Sequence, residues 1–397
     1  MRISYFADIR FPIERANGVQ TMETCHALAR RGHHVRLVVR PDTLVPPRDP
    51  FAYYGLPELP ALRIDRCRVP AWPPARRVAY LAHAVGRSLG ARGADVVMTR
   101  DLSLAAALLR LPAAWHPPIV YESHGYAPAV SRDLPQIVSG AVPGSSAKLR
   151  RLAANERRVW RHASGYVTIT AALCRELEDL FGPRPALSVV ADGARPGAPA
   201  EPGLRRRRSA EAPVVGYAGH LYPWKGVDVL VRALAHLPGT RALVVGGRQA
   251  EPDLARVRQL ADQVAPGRVT FTGQVDPPRV AALLRDADVL VLPNTPTRIS
   301  AAYTSPLKLF EYMASGRPIV ASDLPSLREI LRPDDNAVLV EPGDPAALAR
   351  GVSRVLGDEA WAARLAARAQ QDLGEYTWDR RAERLEAVLF EAVGRQA

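Results

Sequence analysis

Short apolar runs alternate with longer helical stretches along almost the entire chain, and this alternation restricts the fold more than any other feature. The runs are rich in valine, isoleucine and leucine, whereas the stretches between them carry apolar residues at helical spacing, as in 18–31. A repeated strand–helix–strand pattern predicts parallel strands joined by right-handed crossovers. In the first half, strands are predicted at 2–6, 34–39, 96–99, 119–122 and 166–169.

The alternation stops once, at 193–213, and then starts again. That stretch is rich in proline, glycine and arginine and has no periodicity, which is typical of a linker. Further strands are predicted at 214–218, 242–245, 269–272, 289–293, 318–321 and 337–340. We therefore expect an α/β protein with two doubly wound, Rossmann-like domains, 1–193 and 194–372, facing each other across a cleft. A final amphipathic helix within 373–397 is expected to pack back toward the N-terminal domain.

The positive charge is concentrated in the first half. Of the net charge of +13, residues 1–190 contribute 26 lysines and arginines against 15 acidic residues, whereas the remainder has 27 against 25. A basic first domain suits an anionic acceptor or an acidic membrane surface. A solvated surface without function explains the charge equally well. No nucleic-acid-binding motif accompanies it, so we expect no nucleic-acid partner.

Cysteine spacing and hydropathy indicate a cytoplasmic protein without metal. Cys25, Cys67 and Cys174 are far apart, which argues against a disulfide framework or a structural zinc site. No apolar run reaches the roughly 18 residues that a membrane-spanning helix needs. Asp8 and Arg10 interrupt the first apolar run, which predicts a strand rather than a signal peptide.

Two polar turns in the first half follow predicted strands. The turn at 10–20 contains Asn17 and Gly18 just before a helix, where exposed amides and the helix dipole favour a phosphate. The segment YESHG places His124 just after a strand, where it could orient or donate to a substrate hydroxyl. A structural histidine is the alternative.

In the second half, the segment GHLYPWKG follows a predicted strand. It presents Lys225, one of three lysines in the chain, as a point charge suited to phosphate.

A polar loop then opens the helix of YTSPLKLFEYMASGRPIV. Its first amides suit a diphosphate, and Glu311 suits a ribose diol, although a solvent-facing glutamate is the alternative.

The order of these segments resembles the retaining glycosyltransferases of family 4, which have a GT-B fold. The resemblance rests on GHLYPWKG, LVVGG, FTGQV, DADVLVLP and SPLKLFEYMASGRPIVASD, and with NGVQTMETCHALARRGHHV and YESHG it spans essentially the whole chain. It implies a metal-independent hexosyl- or related transferase that uses a nucleoside-diphosphate sugar and no cofactor. It also implies that the acceptor, whose identity stays open, is bound mainly by the N-terminal domain.

The resemblance also implies roles for individual residues. His124, Lys225 and Glu311 would be catalytic, with His124 at the transferred sugar, Lys225 at the diphosphate and Glu311 at the ribose. Gly18 would lie beside the β-phosphate, and the backbone near Val275 would meet the base. The remaining donor-binding residues would be Gly219, His220, Gly247, Arg248, Thr304, Ser305, Pro306, Leu307 and Lys308.

Two positions depart from the family pattern. His220 stands where an arginine is usual, which makes that charge on the phosphates pH-dependent. Tyr303 stands where a glutamate often contacts the sugar. Arg298, Arg248 or Lys308 could replace the missing cation.

Two other functions stay open at this point. A sugar-nucleotide epimerase would share the fold, but the loss of an acidic residue at Tyr303 gives it no support. A non-catalytic sugar-nucleotide-binding protein is the other alternative.

A basic and aromatic segment at 66–81 suggests where a membrane contact would lie. It interleaves Arg66, Arg68, Arg76 and Arg77 with Trp72 and Tyr80. Cations beside an indole suit an anionic lipid headgroup, so we expect reversible docking at the inner membrane face and a lipid-linked or otherwise anionic acceptor.

Overall fold

The protein is described by a computed structural model that covers residues 1–70, 72–89, 93–197, 212–248 and 251–395, without the side chains of residues 73 and 74. It divides into two compact units. The first comprises Met1–Ser131, Gly144–Asp192 and Trp378–Ala397, and the second comprises Arg132–Pro143 and Gly193–Thr377. Residues 132–143, which the sequence pattern assigns to the first domain, therefore belong to the second unit. Most of the predicted linker at 193–213 lies outside the described residues.

The first unit contains a seven-stranded parallel sheet. Its strand order is β3-β2-β1-β4-β5-β6-β7, with Tyr5 of β1 aligned with Leu37 of β2 and Met98 of β4. The strands are β1 (Arg2–Arg10), β2 (His34–Arg40), β3 (Leu62–Arg66), β4 (Val96–Thr99), β5 (Ile119–Ser123), β6 (Gly165–Thr168) and β7 (Leu187–Val189). The sequence pattern misses β3 and β7 because both are short edge strands in which few residues are buried.

Nine helices contribute to the described part of the first half and the C-terminus. They are α1 (Ala16–Arg30), α2 (Pro50–Tyr54), α3 (Pro73–Leu89), α4 (Leu102–Leu108), α5 (Ala127–Arg132), α6 (Leu134–Ile137), α7 (Ser146–His162), α8 (Ala171–Phe181) and, last in the chain, α17 (Trp378–Gly394). Helix α1 buries Met22, Cys25 and Leu28 at helical spacing. Helix α17 belongs to the first unit and contacts α1, β4, β5 and β6.

The second unit contains a six-stranded parallel sheet of the same winding, in the order β10-β9-β8-β11-β12-β13. The strands are β8 (Val214–Ala218), β9 (Arg241–Val245), β10 (Val269–Gly273), β11 (Val289–Leu292), β12 (Ile319–Ser322) and β13 (Val338–Val340). Each overlaps a predicted strand, and their apolar faces form one core with the surrounding helices. The predicted α/β fold class is confirmed.

The helices of the second unit lie between and after these strands. They are α9 (Val227–Ala233), α10 (Pro252–Val264), α11 (Pro277–Arg285), α12 (Arg298–Ala302), α13 (Leu307–Ser315), α14 (Pro325–Arg328), α15 (Pro345–Gly357) and α16 (Glu359–Asp372). Among the described residues, no helix is long and apolar enough to cross a membrane.

Strand order reverses at the same place in both sheets. The reversal falls between β1 and β4 in the first unit and between β8 and β11 in the second. In open α/β sheets, ligands bind beyond the carboxyl ends of the strands at such a switch point. A ligand site is therefore expected at the loops after β1 and β4 in the first unit, next to the loop after β5, and at the loops after β8 and β11 in the second unit.

Candidate active site

The predicted donor-binding residues of the second unit follow four neighbouring strands. Gly219 follows β8, Gly247 and Arg248 follow β9, and Val275 follows β10. The loop after β11 leads through α12 to Thr304–Lys308 and the start of α13. Because the strands are parallel and adjacent, the structure brings all these segments to one edge of one sheet.

Close backbone contacts fix the loop that carries Lys225. Gly226 has φ +68°, and a Cβ there would lie 1.8 Å from the carbonyl oxygen of Pro293, directly after β11. Only glycine allows that approach. The loop after β8 is thereby held against the end of β11, at the switch point. This places Lys225 in a 3₁₀ turn, Pro223–Lys225, immediately before α9.

Lys225 is a buried cation without a counter-charge among the residues that the structure describes. Its side chain is 9% exposed, and its Nζ lies 3.6 Å from the centre of the Trp224 ring. It makes no ion pair with any other residue that the structure describes. Burial lowers its pKa well below the usual lysine value, and the charge of Lys308 lowers it further. The indole nitrogen of Trp224 is also buried and lacks an acceptor within the described chain.

Lys308 and Glu311 lie in the first turns of α13. The Lys308 side chain fills the space beside Gly219, where a Cβ would lie 2.0 Å from its Nζ. Burial lowers the pKa of Lys308, with Glu311 opposing the shift, and burial raises the pKa of Glu311, with Lys308 opposing it. No ion pair forms between them.

The first turn of α13 presents free amide groups. The N-cap residue Pro306 supplies no side-chain acceptor, and within the described ranges no acceptor is recorded for the amides of Leu307 or Lys308. Thr304 and Ser305 are buried just before them. Free amides at the positive end of a helix form a binding site for an anion.

The two residues that depart from the family pattern are His220 and Tyr303. The His220 ring stacks on Tyr222 at 4.9 Å, and its Nδ1 lies 3.8 Å from Oε2 of Glu251. Tyr303 is 4% exposed and ends helix α12. Arg298, one of the cations that could replace the missing arginine, is exposed.

In the first unit, His124 lies directly after β5 and is bonded to Glu122. Its Nε2 is 2.6 Å from Oε1 of Glu122. Burial and the charge of Arg100 lower the pKa of His124 to about 4, so the ring is neutral at pH 7. Because a carboxylate can only accept, Nε2 donates to it and Nδ1 is left as an acceptor. The neutral ring therefore offers Nδ1 as a hydrogen-bond acceptor, which suits the orienting role expected for His124, and its contact with a substrate stays a prediction.

Gly18 lies in the first turn of α1 and is required by packing. A Cβ there would lie 2.5 Å from the Tyr54 hydroxyl and 2.7 Å from the carbonyl oxygen of Ile13. The Tyr54 hydroxyl is itself bonded to the backbone of Ile13. The placement of Gly18 beside a phosphate stays a prediction, because packing already explains a glycine at this position.

Two solved structures share this fold over nearly the whole chain. A sucrose-phosphate synthase from Thermosynechococcus elongatus superimposes with a TM-score of 0.76 at 22% identity, covering 97% of each chain. Alr3699/HepE from Anabaena, solved in complex with UDP and glucose, gives 0.73 at 18% identity, covering 98% of this chain and 99% of that one.

Sequence comparison gives the family. Residues 17–193 match the family described as "Glycosyl transferase 4-like domain", and residues 212–358 match "Glycosyl transferases group 1". The D-inositol 3-phosphate glycosyltransferase of Xylanimonas cellulosilytica is 28% identical over 398 residues, 95% of this chain and 92% of the relative. The chain belongs to the GT-B glycosyltransferases. Several further relatives are longer, and the chain spans less than two thirds of their length.

One residue of this glycosyltransferase that sequence reasoning missed is Arg381 of α17. It is 1% exposed, and its Nη2 donates to Oε1 of Glu122 at 2.8 Å. The same guanidinium donates to the carbonyl oxygens of Val190 and Ala191, each at 2.9 Å. The amphipathic pattern of α17 places position 381 on its buried face beside Ala382 and Leu385, so a charged residue there was the available signal.

Arg381 completes a network around Glu122. Gln20 of α1 donates to Oε1 of Glu122 at 2.5 Å and accepts from Arg100 at 2.6 Å. Burial alone would raise the pKa of Glu122, but the charge of Arg381 and the hydrogen bond from His124 hold it below its usual range. The glycosyltransferase thus uses its C-terminal helix to fix the carboxylate that orients His124.

The segment 66–81 is predicted to bind a membrane, but two of its side chains make contacts within the fold. Arg77 pairs with Asp8 and Asp101, and Tyr80 is fully buried with its hydroxyl bonded to the Val38 carbonyl oxygen. Trp72 is 67% exposed. Arg77 and Tyr80 therefore stabilise the fold and are not free for a lipid headgroup. Membrane docking stays a prediction that these two side chains do not support.

Proposed function

We propose that this glycosyltransferase moves a sugar from a nucleoside-diphosphate sugar to a hydroxyl of an anionic acceptor, with retention of configuration. The observation that carries the proposal is the pair formed by Lys225 and Lys308. Two desolvated cations that repel each other, with no carboxylate of the described chain in ion-pair contact, favour an anion between or beside them. A diphosphate supplies that charge.

The geometry of α13 supports a particular orientation of the donor. The free amides of Leu307 and Lys308 suit the phosphates, while Glu311, one turn further along the helix, suits the ribose hydroxyls. Val275 follows the edge strand β10, at the far end of the same row of loops, where the base would lie. The donor would then extend across the switch point of the second sheet.

Charge stabilisation of the leaving group is the proposed source of catalysis. As the bond between the sugar and the diphosphate breaks, negative charge grows on the departing phosphate. Lys225 and the α13 amides would stabilise it. The acceptor hydroxyl would attack from the face that the phosphate leaves, which retains the configuration. Because the two lysines provide the positive charge, we propose that no metal ion or cofactor is needed.

The comparisons support the choice of substrates. Alr3699/HepE was solved with UDP and glucose, which supports a uridine diphosphate sugar as donor. The Xylanimonas relative is named for D-inositol 3-phosphate, a phosphorylated polyol. The excess of basic residues in 1–190 supports an acceptor with negative charge bound by the first unit. His124, with Nδ1 as an acceptor, is proposed to contact the transferred sugar.

A transfer assay with product stereochemistry tests this function. UDP-glucose is incubated with D-inositol 3-phosphate or with unphosphorylated inositol, in the presence of a metal chelator, and the product anomer is assigned by NMR. We expect an α-linked product from the phosphorylated acceptor. A β-linked product would refute retention, and equal transfer to both acceptors would refute an anionic acceptor. UDP-glucose binding without either transfer or hydrolysis would refute catalysis with this donor.

A further inference from the structure

A cavity lies in the first unit, at the amino ends of β5 and β6. It has a volume of about 700 Å³ and is lined by residues that precede β5 and β6, including His116 and Ser164. His124 follows β5 at the opposite end of the same strand. At about 3.3 Å per residue, the five residues of β5 separate the two positions by roughly 15 Å. The cavity is therefore distinct from the edge of the sheet that carries His124.

The lining of this cavity is basic. Arg158, Arg161 and His162 come from the last turns of α7, and Arg184 comes from the segment before β7. No aspartate or glutamate is among the described residues that line it. Glu391, whose charge acts on Arg184, is paired with Arg395 at 2.8 Å.

Arg184 holds the inner wall in place. It donates to the carbonyl oxygens of Trp160 and Ala163 at 2.8 and 2.7 Å, so it caps the C-terminal end of α7. Its guanidinium also lies over the rings of Trp160 and Tyr166. Burial lowers its pKa to about 10. Carbonyl dipoles and aromatic rings therefore make the direct contacts that stabilise this charge, and Glu391 acts on it without an ion-pair contact.

Arg158 and Arg161 are the free cations of the cavity. Neither makes an ion pair or hydrogen bond within the described part of the chain, and Arg158 is half-buried. A cation at the wall of a concave, partly apolar cavity raises the local concentration of anions more than one on an open surface. Leu109, Leu111 and Phe181 supply the apolar wall.

We propose that this cavity binds an organic phosphate, with the phosphate at Arg158 and Arg161 and the organic group against the apolar wall. A phosphate monoester carries a charge of about −1.5 to −2 at neutral pH, which matches two unpaired guanidinium groups better than a single carboxylate does. The ligand is either a soluble metabolite or the headgroup of an anionic lipid. Both present the same phosphate chemistry.

Binding of phenyl phosphate, measured by isothermal titration calorimetry, tests the site. The measurements use the Lys225→Ala background, so that the proposed donor site does not contribute. We expect phenyl phosphate to bind more tightly than inorganic phosphate. The double variant Arg158→Gln/Arg161→Gln should weaken its binding at least tenfold.

The chain offers a matched control on the same helix. Arg150 and Arg151 are exposed, form no ion pair within the described residues and do not line the cavity. The variant Arg150→Gln/Arg151→Gln changes the net charge equally, and it should leave binding unchanged. An equal loss in both double variants would refute a localised site, as would the absence of phenyl phosphate binding to the parent protein.

Vesicles distinguish the two sources of phosphate. Co-sedimentation with phosphatidic acid vesicles that depends on Arg158 and Arg161, but not on Arg150 and Arg151, would support a lipid headgroup as the ligand. Phenyl phosphate binding without such co-sedimentation would support a soluble ligand. Co-sedimentation that depends equally on both arginine pairs, without phenyl phosphate binding, would refute the cavity as the phosphate site.

Discussion

At the carboxyl end of β5 in the first unit, the buried carboxylate of Glu122 is paired with a cation, whereas after β8 of the second unit, the buried cation of Lys225 has no ion-pair partner among the described residues. Glu122 is completely buried and accepts from Gln20, His124 and Arg381. Lys225 is nearly as buried, but the charge that acts on it is the like charge of Lys308. Both clusters lie at the carboxyl ends of parallel strands in two similarly wound sheets.

The paired charges of the first cluster stabilise the fold, whereas the charge of the second, unpaired within the described chain, is available to bind a ligand. In a buried ion pair, the attraction between the two charges offsets the cost of removing them from water. Removing either partner therefore leaves an uncompensated buried charge. A buried cation without a partner recovers that cost only when an anion binds. Substitutions in the two clusters test this distinction, and their expected effects decrease from the first to the last.

Arg381→Met should cause the largest loss of stability. The substitution leaves the Glu122 carboxylate buried with only His124 and Gln20 as donors, and breaking such a pair typically costs about 3–5 kcal/mol. We expect the free energy of unfolding in urea to fall by about that amount. Arg380→Met, at the neighbouring exposed position that pairs with Glu383, should leave it nearly unchanged because solvent screens that pair.

A second substitution shows whether charge or packing causes the loss. In the double variant Arg381→Met/Glu122→Gln, the carboxylate is neutral, so part of the lost stability should return. A double variant that is as unstable as the sum of the two single variants would show that Glu122 and Arg381 do not act as a pair.

Lys225→Ala should weaken donor binding without destabilising the protein. Loss of a charged contact costs about 1.5–3 kcal/mol, so UDP-glucose should bind roughly ten- to a hundredfold more weakly. The free energy of unfolding should stay the same or rise, because a desolvated cation repelled by Lys308 has been removed. The control is Lys148→Ala, at an exposed lysine of the first unit. Equal donor affinity in the two variants would contradict the proposed site.

Donor affinity should fall as pH rises through the pKa of Lys225. The charged lysine binds the diphosphate, and burial lowers the pKa of the free protein well below the usual lysine value. Affinity is therefore highest below that pKa and decreases by up to about tenfold per pH unit above it. Calorimetry in buffers of different ionisation enthalpy should show proton uptake on binding. Lys225→Arg should abolish the uptake, and an unchanged uptake would assign the proton to another group.

The fold follows from the sequence because its central strands are buried on both faces. Such strands are continuous apolar runs, as at Val96–Thr99 and Val289–Leu292, and they are visible without any tertiary information. The edge strand β3 is different, because Arg63, Asp65 and Arg66 interrupt its apolar pattern, and its sequence therefore does not indicate the pairing with β2. Pairing of such a strand depends on its neighbour rather than on its own pattern.

The site of the second unit was also easier to predict from the sequence than the Glu122 network of the first unit. Lys225, Lys308 and Glu311 lie in two continuous segments whose order resembles a known family. The Glu122 network joins residues that are hundreds of positions apart, since Arg381 is 259 residues from Glu122. No local sequence pattern indicates such a pairing. The same applies to the basic cavity, whose walls come from four separate segments.

His220→Arg should have the smallest effect of these substitutions. The His220 side chain is 21% exposed and stacks on Tyr222, and Glu251 lies 3.8 Å away, so a charge at this position is partly balanced and partly solvated. A permanent charge there should strengthen UDP-glucose binding by about 0.5–1 kcal/mol, or roughly two- to fivefold. His236→Arg, at an exposed histidine of the same unit, is the matched control and should have no effect.

The pH profile of that variant decides whether the His220 ring contributes charge. A protonated imidazole would help to neutralise the diphosphate, so its contribution is present at low pH and is lost as pH rises. In the Lys225→Arg background, which removes the titration of Lys225, donor affinity should still fall as pH rises. His220→Arg should reduce that remaining dependence, and the part that is left belongs to Lys308, whose pKa is also lowered by burial. If donor affinity in the Lys225→Arg background did not depend on pH, His220 would act only by stacking on Tyr222. The site would then lack the cation that arginine usually supplies at this position.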